Sequence, residues 1–400
     1  MPIILRNIVF FFLWFMWSGS FNIMPQVFFL TYHPENRIFL VMILLLLGSI
    51  FSIAGVWSSH GTWFLNRALL KRQKYGLAFL FAASAASFLM LFMTKDLVIY
   101  FLSFMSFRYL SGFLYNHLDQ FYVSGLEEPG VALHVRSNIL YQLSGMIAAP
   151  LYFSFFYGLL PLHILITSIL LLISLALAIG RLRSHSMRPI RIELLGGRLF
   201  SARDKVFVAY SLLIFCFITL FSAIALYVLR DYYSLENATR LGGILIGATI
   251  FVAFLAILVR SLFAERSRMG GVICSTLALY LGGIVVIYLR FSSSISYLLL
   301  FSLMAGIGSG IYLVSGRLYA SKAKVDRGQS HLLTIFNDMP DLANLAVFGV
   351  LSPLSFLMGA DPFRFFQFLF IGLFVVFSLA LFLALFYAPR VFGGNPAEEA

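Results

Sequence analysis

GRLRSHSMRPIRIELLGGRLFSARDK, residues 180–205, separates two long apolar halves of the chain that are similar in length. The segment carries seven basic side chains, namely Arg181, Arg183, Arg188, Arg191, Arg198, Arg203 and Lys205. A basic segment between hydrophobic halves is typical of a cytoplasmic linker that joins two membrane-embedded bundles. We therefore predict four regions: an N-terminal bundle (1–180), the linker (181–205), a C-terminal bundle (206–390) and a cytoplasmic tail (391–400).

The composition is that of a membrane protein. Hydrophobic residues make up 61% of the chain and charged residues 11%, against about 45–50% and about 25% in soluble domains. The net charge of +12 does not indicate a nucleic-acid partner, because the basic residues lie in short clusters between hydrophobic runs. Cys216 and Cys274 both lie inside apolar runs, which excludes a disulfide framework and a CxxC metal site. We expect no cofactor and no metal.

Twelve apolar stretches are long enough to cross a bilayer, which takes about 20 helical residues. Six precede the linker, at 7–31, 38–58, 75–94, 97–123, 136–157 and 161–180. Six follow it, at 206–229, 239–260, 270–289, 294–317, 331–357 and 364–388. The first stretch has no cleavage site and is predicted to be a span rather than a signal peptide. The predicted fold is an all-α polytopic membrane protein with twelve transmembrane helices in two pseudo-symmetric six-helix bundles.

The loops between the predicted spans set the orientation. With the N-terminus inside, the cytoplasmic segments hold 21 of the lysines and arginines and the outer segments hold six. Cytoplasmic loops of membrane proteins carry the excess of Lys and Arg. We therefore predict a multi-pass protein of the cytoplasmic (inner) membrane with both termini in the cytoplasm.

A weak internal repeat relates the two halves. SGFLY at 111–115 and SGIYL at 309–313 lie at corresponding places in the fourth and tenth predicted spans. Parallel six-helix repeats of this kind are one of the plans on which transporters are built.

Two short motifs support this layout. The loop FAERSRMG at 263–270 contains Glu265, Arg266 and Arg268, and the fourth span contains RYLSG at 108–112. With these motifs and the six-linker-six layout, the chain resembles a major facilitator superfamily transporter. That family carries an acid–base–x–Gly–base loop motif and an Arg-x-x-x-Gly element. In the first-half loop, Asn66 stands where the family has its acidic residue. The resemblance implies two bundles that move around a central substrate site.

Arg108 is the one basic residue that the orientation leaves inside the membrane. A charge at a helix centre costs about 2.5–3.5 kcal/mol on insertion scales and marks a candidate functional site. Its own helix offers no carboxylate at i±3 or i±4, so its partner is another helix, a backbone carbonyl or a ligand. Tyr115 follows on the same helical face. We predict that Arg108 and Tyr115 bind substrate.

Asp338 and Asp341 lie on one face of the eleventh span. The resemblance places the fourth and eleventh helices side by side, so we predict an Arg108–Asp341 pair at mid-membrane. Burial disfavours the ionised carboxylate and a nearby arginine favours it. Protonation of Asp341 or Asp338 would then release Arg108 for an anionic group and couple proton to substrate. The alternatives are that the charges only hold the bundles together, or do not touch.

Three further charged residues, Asp119, Arg136 and Arg317, lie near the predicted cytoplasmic ends of the spans. The resemblance implies that these ends close when the central cavity faces outward. Asp119–Arg317 and Arg136–Asp338 pairs would form such a gate, and we include Glu265, Arg266 and Arg268 of the basic loop in it. The alternative is that each charge is solvated at headgroup depth.

Asn22 and Gln26 supply polar side chains at i and i+4 in the first span. They could hydrogen-bond the hydroxyl groups of a substrate. Hydrogen bonds between neighbouring helices explain them equally well.

The sequence as a whole predicts a secondary active transporter, and not an enzyme, that uses alternating access and proton coupling. Arg108 favours a small organic solute with an anionic group. The partners are this solute, H⁺ and the lipid bilayer, and the resemblance implies a monomer. The 45 phenylalanines leave open an exporter of amphipathic drugs or lipids. A non-transporting membrane scaffold or sensor on the same fold is the remaining alternative.

Overall fold

The computed structural model describes residues 25, 28, 37–59, 73–123, 165, 168, 172, 201–232, 235–262, 269–290, 295–327, 330–357 and 362–393. Nine long helices account for nearly all of these residues, and this part of the chain contains no β-strand. The all-α prediction is therefore confirmed for the described residues. Predicted spans one, five and six and the linker up to residue 200 lie outside them, apart from five isolated helical positions.

The nine described helices coincide with predicted spans two to four and seven to twelve. They are α1 (Arg37–Ser58), α2 (Gln73–Met93), α3 (Leu97–Val123), α4 (Ala202–Tyr232), α5 (Leu235–Leu262), α6 (Met269–Arg290), α7 (Ile295–Arg327), α8 (Ser330–Leu357) and α9 (Pro362–Gly393).

Five of the described helices contain a stretch long and apolar enough to cross a membrane: Leu40–Ser58, Leu97–Asn116, Met269–Val286, Leu299–Ala323 and Ile371–Ala388. Large apolar side chains also lie on the outside of the molecule, most densely on α9, where Leu379, Phe382 and Phe386 are exposed. A soluble protein rarely exposes so continuous an apolar surface. The chain is a multi-pass membrane protein, and these side chains face lipid.

Helix α4 begins inside the predicted linker, at Ala202, because a local capping motif starts the helix there. The Asp204 amide donates to Ser201 Oγ at 3.2 Å, and the Ser201 amide donates to Asp204 Oδ2 at 3.3 Å. These reciprocal bonds satisfy two amide groups that a helix start leaves without intrahelical partners. The sequence prediction started the span at 206 because it followed hydrophobicity alone.

Close helix contacts occur at equivalent glycines in the two halves. A Cβ on Gly112 of α3 would lie 2.6 Å from the Ser52 carbonyl of α1. Gly310 of α7 lies in the same way against the Ala253 carbonyl of α5. Gly112 and Gly310 are the glycines of SGFLY and SGIYL. The fourth span therefore packs on the second through the same repeat position by which the tenth span packs on the eighth, as the predicted repeat implies.

Among the described helices, α8 makes the main contact between the two halves. It lies along α1 on one side and α4 on the other, and its contact with α3 is smaller. This differs from the expectation that the fourth and eleventh spans lie side by side. The reason is that α1 presents small polar residues to α8, so that Asn344 donates to Ser49 Oγ at 2.9 Å. Helix α3 reaches α8 through the long side chain of Arg108 and through Asn116 and Asp119, which accept hydrogen bonds from Asn337.

Candidate functional site

Arg108 of α3 and Asp341 of α8 form a buried ion pair between Nη2 and Oδ1. Arg108 is 1% exposed and Asp341 is 3% exposed. The hydroxyls of Ser49 and Ser52, one turn apart on α1, face the same carboxylate. We call Arg108 and Asp341 the central pair, which joins the two halves of the chain at the middle of α3 and α8.

Proline shapes the backbone of α8 beside the central pair. Pro340 lies inside the helix, immediately before Asp341. Because proline has no N–H, the carbonyl of Phe336 loses its usual intrahelical donor. The ring of Phe336 packs near Tyr312 of α7 and Phe207 of α4, which fixes α8 on the side away from α1. The acidic residues of α8 therefore lie where the helical hydrogen bonding of α8 is interrupted and where aromatic side chains of α4 and α7 pack against it.

Asp338 lies one turn before Asp341 and is also buried, with 1% exposure. Asp341 acts on it as a like charge, and the indole of Trp57 on α1 faces it. Within the described part of the chain, neither carboxylate oxygen of Asp338 accepts a hydrogen bond of ordinary geometry. Asp338 thus shares the helical face of Asp341 without sharing its cation.

Further along α3, a second charge pair links α3 to α7. Arg317 Nη2 lies 2.6 Å from Asp119 Oδ1, and both side chains are buried. Arg317 Nη1 donates to the hydroxyl of Tyr115 at 2.9 Å. The predicted Asp119–Arg317 contact is therefore present, and the hydroxyl of Tyr115 contacts Arg317.

Asn337 extends this pair to α8. Its amide donates to Asp119 Oδ2 at 3.2 Å and to Asn116 Oδ1 at 3.4 Å, and its carbonyl oxygen accepts from Arg317 at 3.3 Å. Asn116 in turn donates to Ser59 Oγ, after the end of α1, at 2.8 Å. We call Asp119, Arg317, Tyr115, Asn337 and Asn116 the polar network. It ties together four helices, two from each half.

Several predicted site residues fall outside the described part of the chain. These are Asn22, Gln26, Arg136, Glu265, Arg266 and Arg268. The predicted Arg136–Asp338 contact therefore stays a prediction. Of the residues that are described, the structure groups Arg108 with Asp341 and groups Asp119 with Arg317 and Tyr115.

The contribution of α1 to the site was not predicted from the sequence. Ser49 and Ser52 face Asp341, and Trp57 faces Asp338. Ser49 and Ser52 are three residues apart in a largely apolar span, a spacing that places them on one face of a helix. The two serines form a polar stripe, and a polar stripe on a membrane helix marks the side that faces other helices. This stripe was the feature of the sequence that could have indicated the contact of α1 with the site.

No protein-family model matches the chain, and no curated protein matches it in sequence. Solved transporter structures do match it in fold. The nucleoside transporter NupG superposes with a TM-score of 0.67 at 14% identity, over 97% of this chain and 100% of that chain. A POT family transporter in complex with a thioalcohol-conjugated peptide superposes with a TM-score of 0.71 at 12% identity, over 97% of this chain and 96% of that chain. The same coverage holds for a POT family transporter with 5-aminolevulinic acid, with a TM-score of 0.70 at 12% identity.

The matches extend over nearly the whole of each chain, including the helices that carry the central pair and the polar network. At identities this low, the similarity concerns the fold. The chain therefore has the fold of these nucleoside and peptide transporters, the major facilitator fold that its sequence resembles.

Proposed function

We propose that the chain is a secondary active transporter that moves a small organic solute across the cytoplasmic membrane by alternating access, with coupling to protons. In this proposal twelve helices form two six-helix bundles, at 1–180 and 206–390, and the basic linker joins them on the cytoplasmic side. Both termini are cytoplasmic. The proposal is supported by the fold of the matched transporters and by the placement of buried charges between the two halves.

The central pair is the main support for this proposal. A buried ion pair contributes little to stability, because desolvation of both charges offsets their attraction. If the pair only held the two bundles together, apolar side chains could replace it with little loss of stability. Arg108 and Asp341 instead lie at the junction of α1, α3 and α8, where a central solute in this fold would contact both halves.

Arg108 favours a solute with an anionic group. A guanidinium carries five N–H donors in a planar fork that matches a carboxylate or phosphate. Asp341 already supplies one carboxylate to this fork, and a carboxylate on the solute would be recognised by the same chemistry. Asn22 and Gln26 of the first span are proposed to bind hydroxyl groups of the solute. Protonation of Asp341 or Asp338 would alter the charge that Arg108 experiences and so couple proton binding to solute binding.

The polar network is proposed to be the cytoplasmic gate, together with Arg136 and with Glu265, Arg266 and Arg268 of the basic loop. With Asp119 and Arg317 in contact, the ends of α3, α7 and α8 are held together, and we assign this arrangement to the state closed toward the cytoplasm. Opening would require water to replace the hydrogen bonds of Asn337 and Tyr115. Side-chain hydrogen bonds in membrane proteins average about 0.6 kcal/mol, so water can replace those of Asn337 and Tyr115 at small cost.

The proposal is tested by a thermal-stability screen of the purified protein in detergent, at acidic and neutral pH. The compounds are organic acids, amino acids, short peptides, nucleosides, sugars and lipophilic cations. Peptides, amino acids and nucleosides are included because the matched POT family transporter and NupG structures concern such compounds. A solute at 100 times its Kd stabilises the folded protein by about 2.7 kcal/mol.

The matched control is the double variant Arg108→Gln with Asp341→Asn, which removes the guanidinium without leaving an unpaired charge. We expect an anionic or zwitterionic solute to stabilise the wild type and not this variant. If lipophilic cations stabilise both proteins equally and no anionic solute binds, export of amphipathic compounds replaces the proposed function.

A further inference from the structure

The buried charges of the described helices do not balance. Six charged side chains are buried: Arg108, Asp119, Asp204, Arg317, Asp338 and Asp341. Two of them are cations and four are carboxylates. Each carboxylate that stays ionised in an apolar interior needs a cation or several hydrogen-bond donors. Within the described helices, two carboxylates therefore have no buried cation of their own.

Three of the four carboxylates have such partners. Asp341 pairs with Arg108, and Asp119 pairs with Arg317. Asp204 lies in the first turn of α4, where the helix dipole favours a negative charge. It also accepts from the hydroxyls of Tyr319 at 2.8 Å and Ser201 at 2.9 Å.

Asp338 is the fourth carboxylate. Among the described helices, those packed against α8 are α1, α3, α4 and α7, and each buried charged side chain that they carry is engaged in one of the contacts just described. Helix α1 offers the indole of Trp57, and on α8 itself the nearby charge is Asp341, which repels a second anion. A buried carboxylate in such surroundings binds a proton rather than remaining charged.

We propose that Asp338 is the proton-binding residue of this protein, and that Asp341 stays ionised as the partner of Arg108. The link to transport rests on the proposed function, whereas the protonation itself does not. Asp338 and Asp341 are three residues apart and have distinct roles in this proposal, because only Asp341 is paired with Arg108.

The same geometry gives a reason for coupling. With a proton on Asp338, the net charge of Arg108, Asp341 and Asp338 is zero, and without it the net charge is −1. An anionic solute at Arg108 is therefore bound more tightly when Asp338 carries its proton. By linkage, the bound anion strengthens proton binding by the same factor. Proton and anion are then bound together and released together.

Protonation of Asp338 can be measured without any solute. Purified wild-type protein in lipid nanodiscs is treated with dicyclohexylcarbodiimide over a pH series, and tandem mass spectrometry identifies the labelled carboxyl. The reagent adds the O–H of a protonated carboxylic acid across its C=N bond and does not react in this way with a carboxylate. We expect a label on Asp338 that decreases as the pH rises, and no label on Asp341.

Infrared spectroscopy is the second measurement, because it does not depend on access of the reagent. We expect the carbonyl band of a buried protonated acid to disappear in Asp338→Asn and to persist in Asp204→Asn, the control for loss of a buried carboxylate elsewhere. A label on Asp341, or the absence of both label and band at Asp338, overturns the proposal. A protonated Asp338 in a protein that binds no solute upholds the proposal and refutes only the proposed function.

Discussion

Helices α3 and α7 are equivalent elements of the two halves, and they differ at the positions that carry the candidate function. Both have a glycine that packs against a backbone carbonyl of a neighbouring helix, Gly112 in α3 and Gly310 in α7. Two turns later each has a buried charge, and the two charges are of opposite sign and pair with each other, Asp119 with Arg317.

The difference between the two helices lies one turn before each glycine. Here α3 has Arg108, and α7 has Gly306, which packs against the Thr249 carbonyl of α5. The shared positions supply the glycine contacts and the two charges of the Asp119–Arg317 pair. The unshared arginine breaks the symmetry, which is why we assign solute binding to Arg108 and not to its counterpart.

The largest expected effect comes from removing the partner of this unshared arginine. Asp341→Asn leaves Arg108 buried without its counter-charge, and breaking a buried pair in this way typically costs about 3–5 kcal/mol. We expect a corresponding fall in the unfolding temperature in detergent.

The control is the double variant Arg108→Gln with Asp341→Asn. Removal of both charges leaves no uncompensated ion, so most of the lost stability should return. Equal destabilisation by the single and double variants would show that the two side chains do not depend on each other.

The shared glycine contact gives the next largest effect. Gly112→Ala places a methyl group 2.6 Å from the Ser52 carbonyl, and overpacking of this kind costs about 1–3 kcal/mol. Gly271→Ala in α6 is the matched control, because a Cβ there meets no atom within 4 Å among the described residues. Thermal unfolding should separate the two variants, and similar unfolding temperatures would contradict the close α1–α3 contact.

Removing one hydrogen bond from the polar network should have a smaller effect. Tyr115→Phe removes the hydroxyl that accepts from Arg317 at 2.9 Å. Hydrogen bonds between side chains in membrane proteins average about 0.6 kcal/mol, and the pair with Asp119 remains. We expect nearly unchanged unfolding, and a loss as large as that of Asp341→Asn would show that Tyr115 contributes to the central pair.

The smallest effect on stability is expected for Asp338→Asn. If Asp338 is protonated, an amide of the same shape replaces a neutral acid, and the variant should unfold at the temperature of the wild type at acidic pH. The stability of the variant should also depend less on pH. Marked destabilisation at acidic pH would indicate that Asp338 is ionised and paired.

Much of the site was predictable from the sequence because charges are rare in this membrane protein. Arg108, Asp119, Arg317 and Asp341 are conspicuous in apolar spans, and the repeat placed Asp119 and Arg317 at equivalent positions. Buried charges need partners, and the resemblance to the transporter family implied which of these residues pair with each other. The expected contact of the fourth and eleventh spans located the central pair correctly, although the helices themselves touch less than expected.

The neutral parts of the site could not be assigned in this way. Serine is common in membrane helices, so Ser49 and Ser52 do not reveal which carboxylate they face until α1 is placed beside α8. Tyr115 was assigned to the substrate because it shares a face with Arg108. A helix face is broad enough to reach two sites two turns apart, and only the position of α7 shows that its hydroxyl meets Arg317.

Closure of the cytoplasmic side by the polar network is tested most directly by cysteine accessibility. Ser111 lies between Arg108 and Tyr115 on α3 and is 2% exposed, and Ser111→Cys adds almost no volume. The background carries Cys216→Ser and Cys274→Ser, which removes both native thiols. A membrane-impermeant maleimide is applied to the cytoplasmic face of inside-out vesicles, and the rate of labelling is measured.

The comparison is between an intact network and one with Asp119→Asn and Arg317→Gln, which removes both charges together. A loss of about 1.4 kcal/mol of closure free energy changes the open population tenfold, so we predict about tenfold faster labelling from the cytoplasmic face. Equal rates with and without the charges, or an increase only from the outer face, would contradict a cytoplasmic gate formed by Asp119 and Arg317.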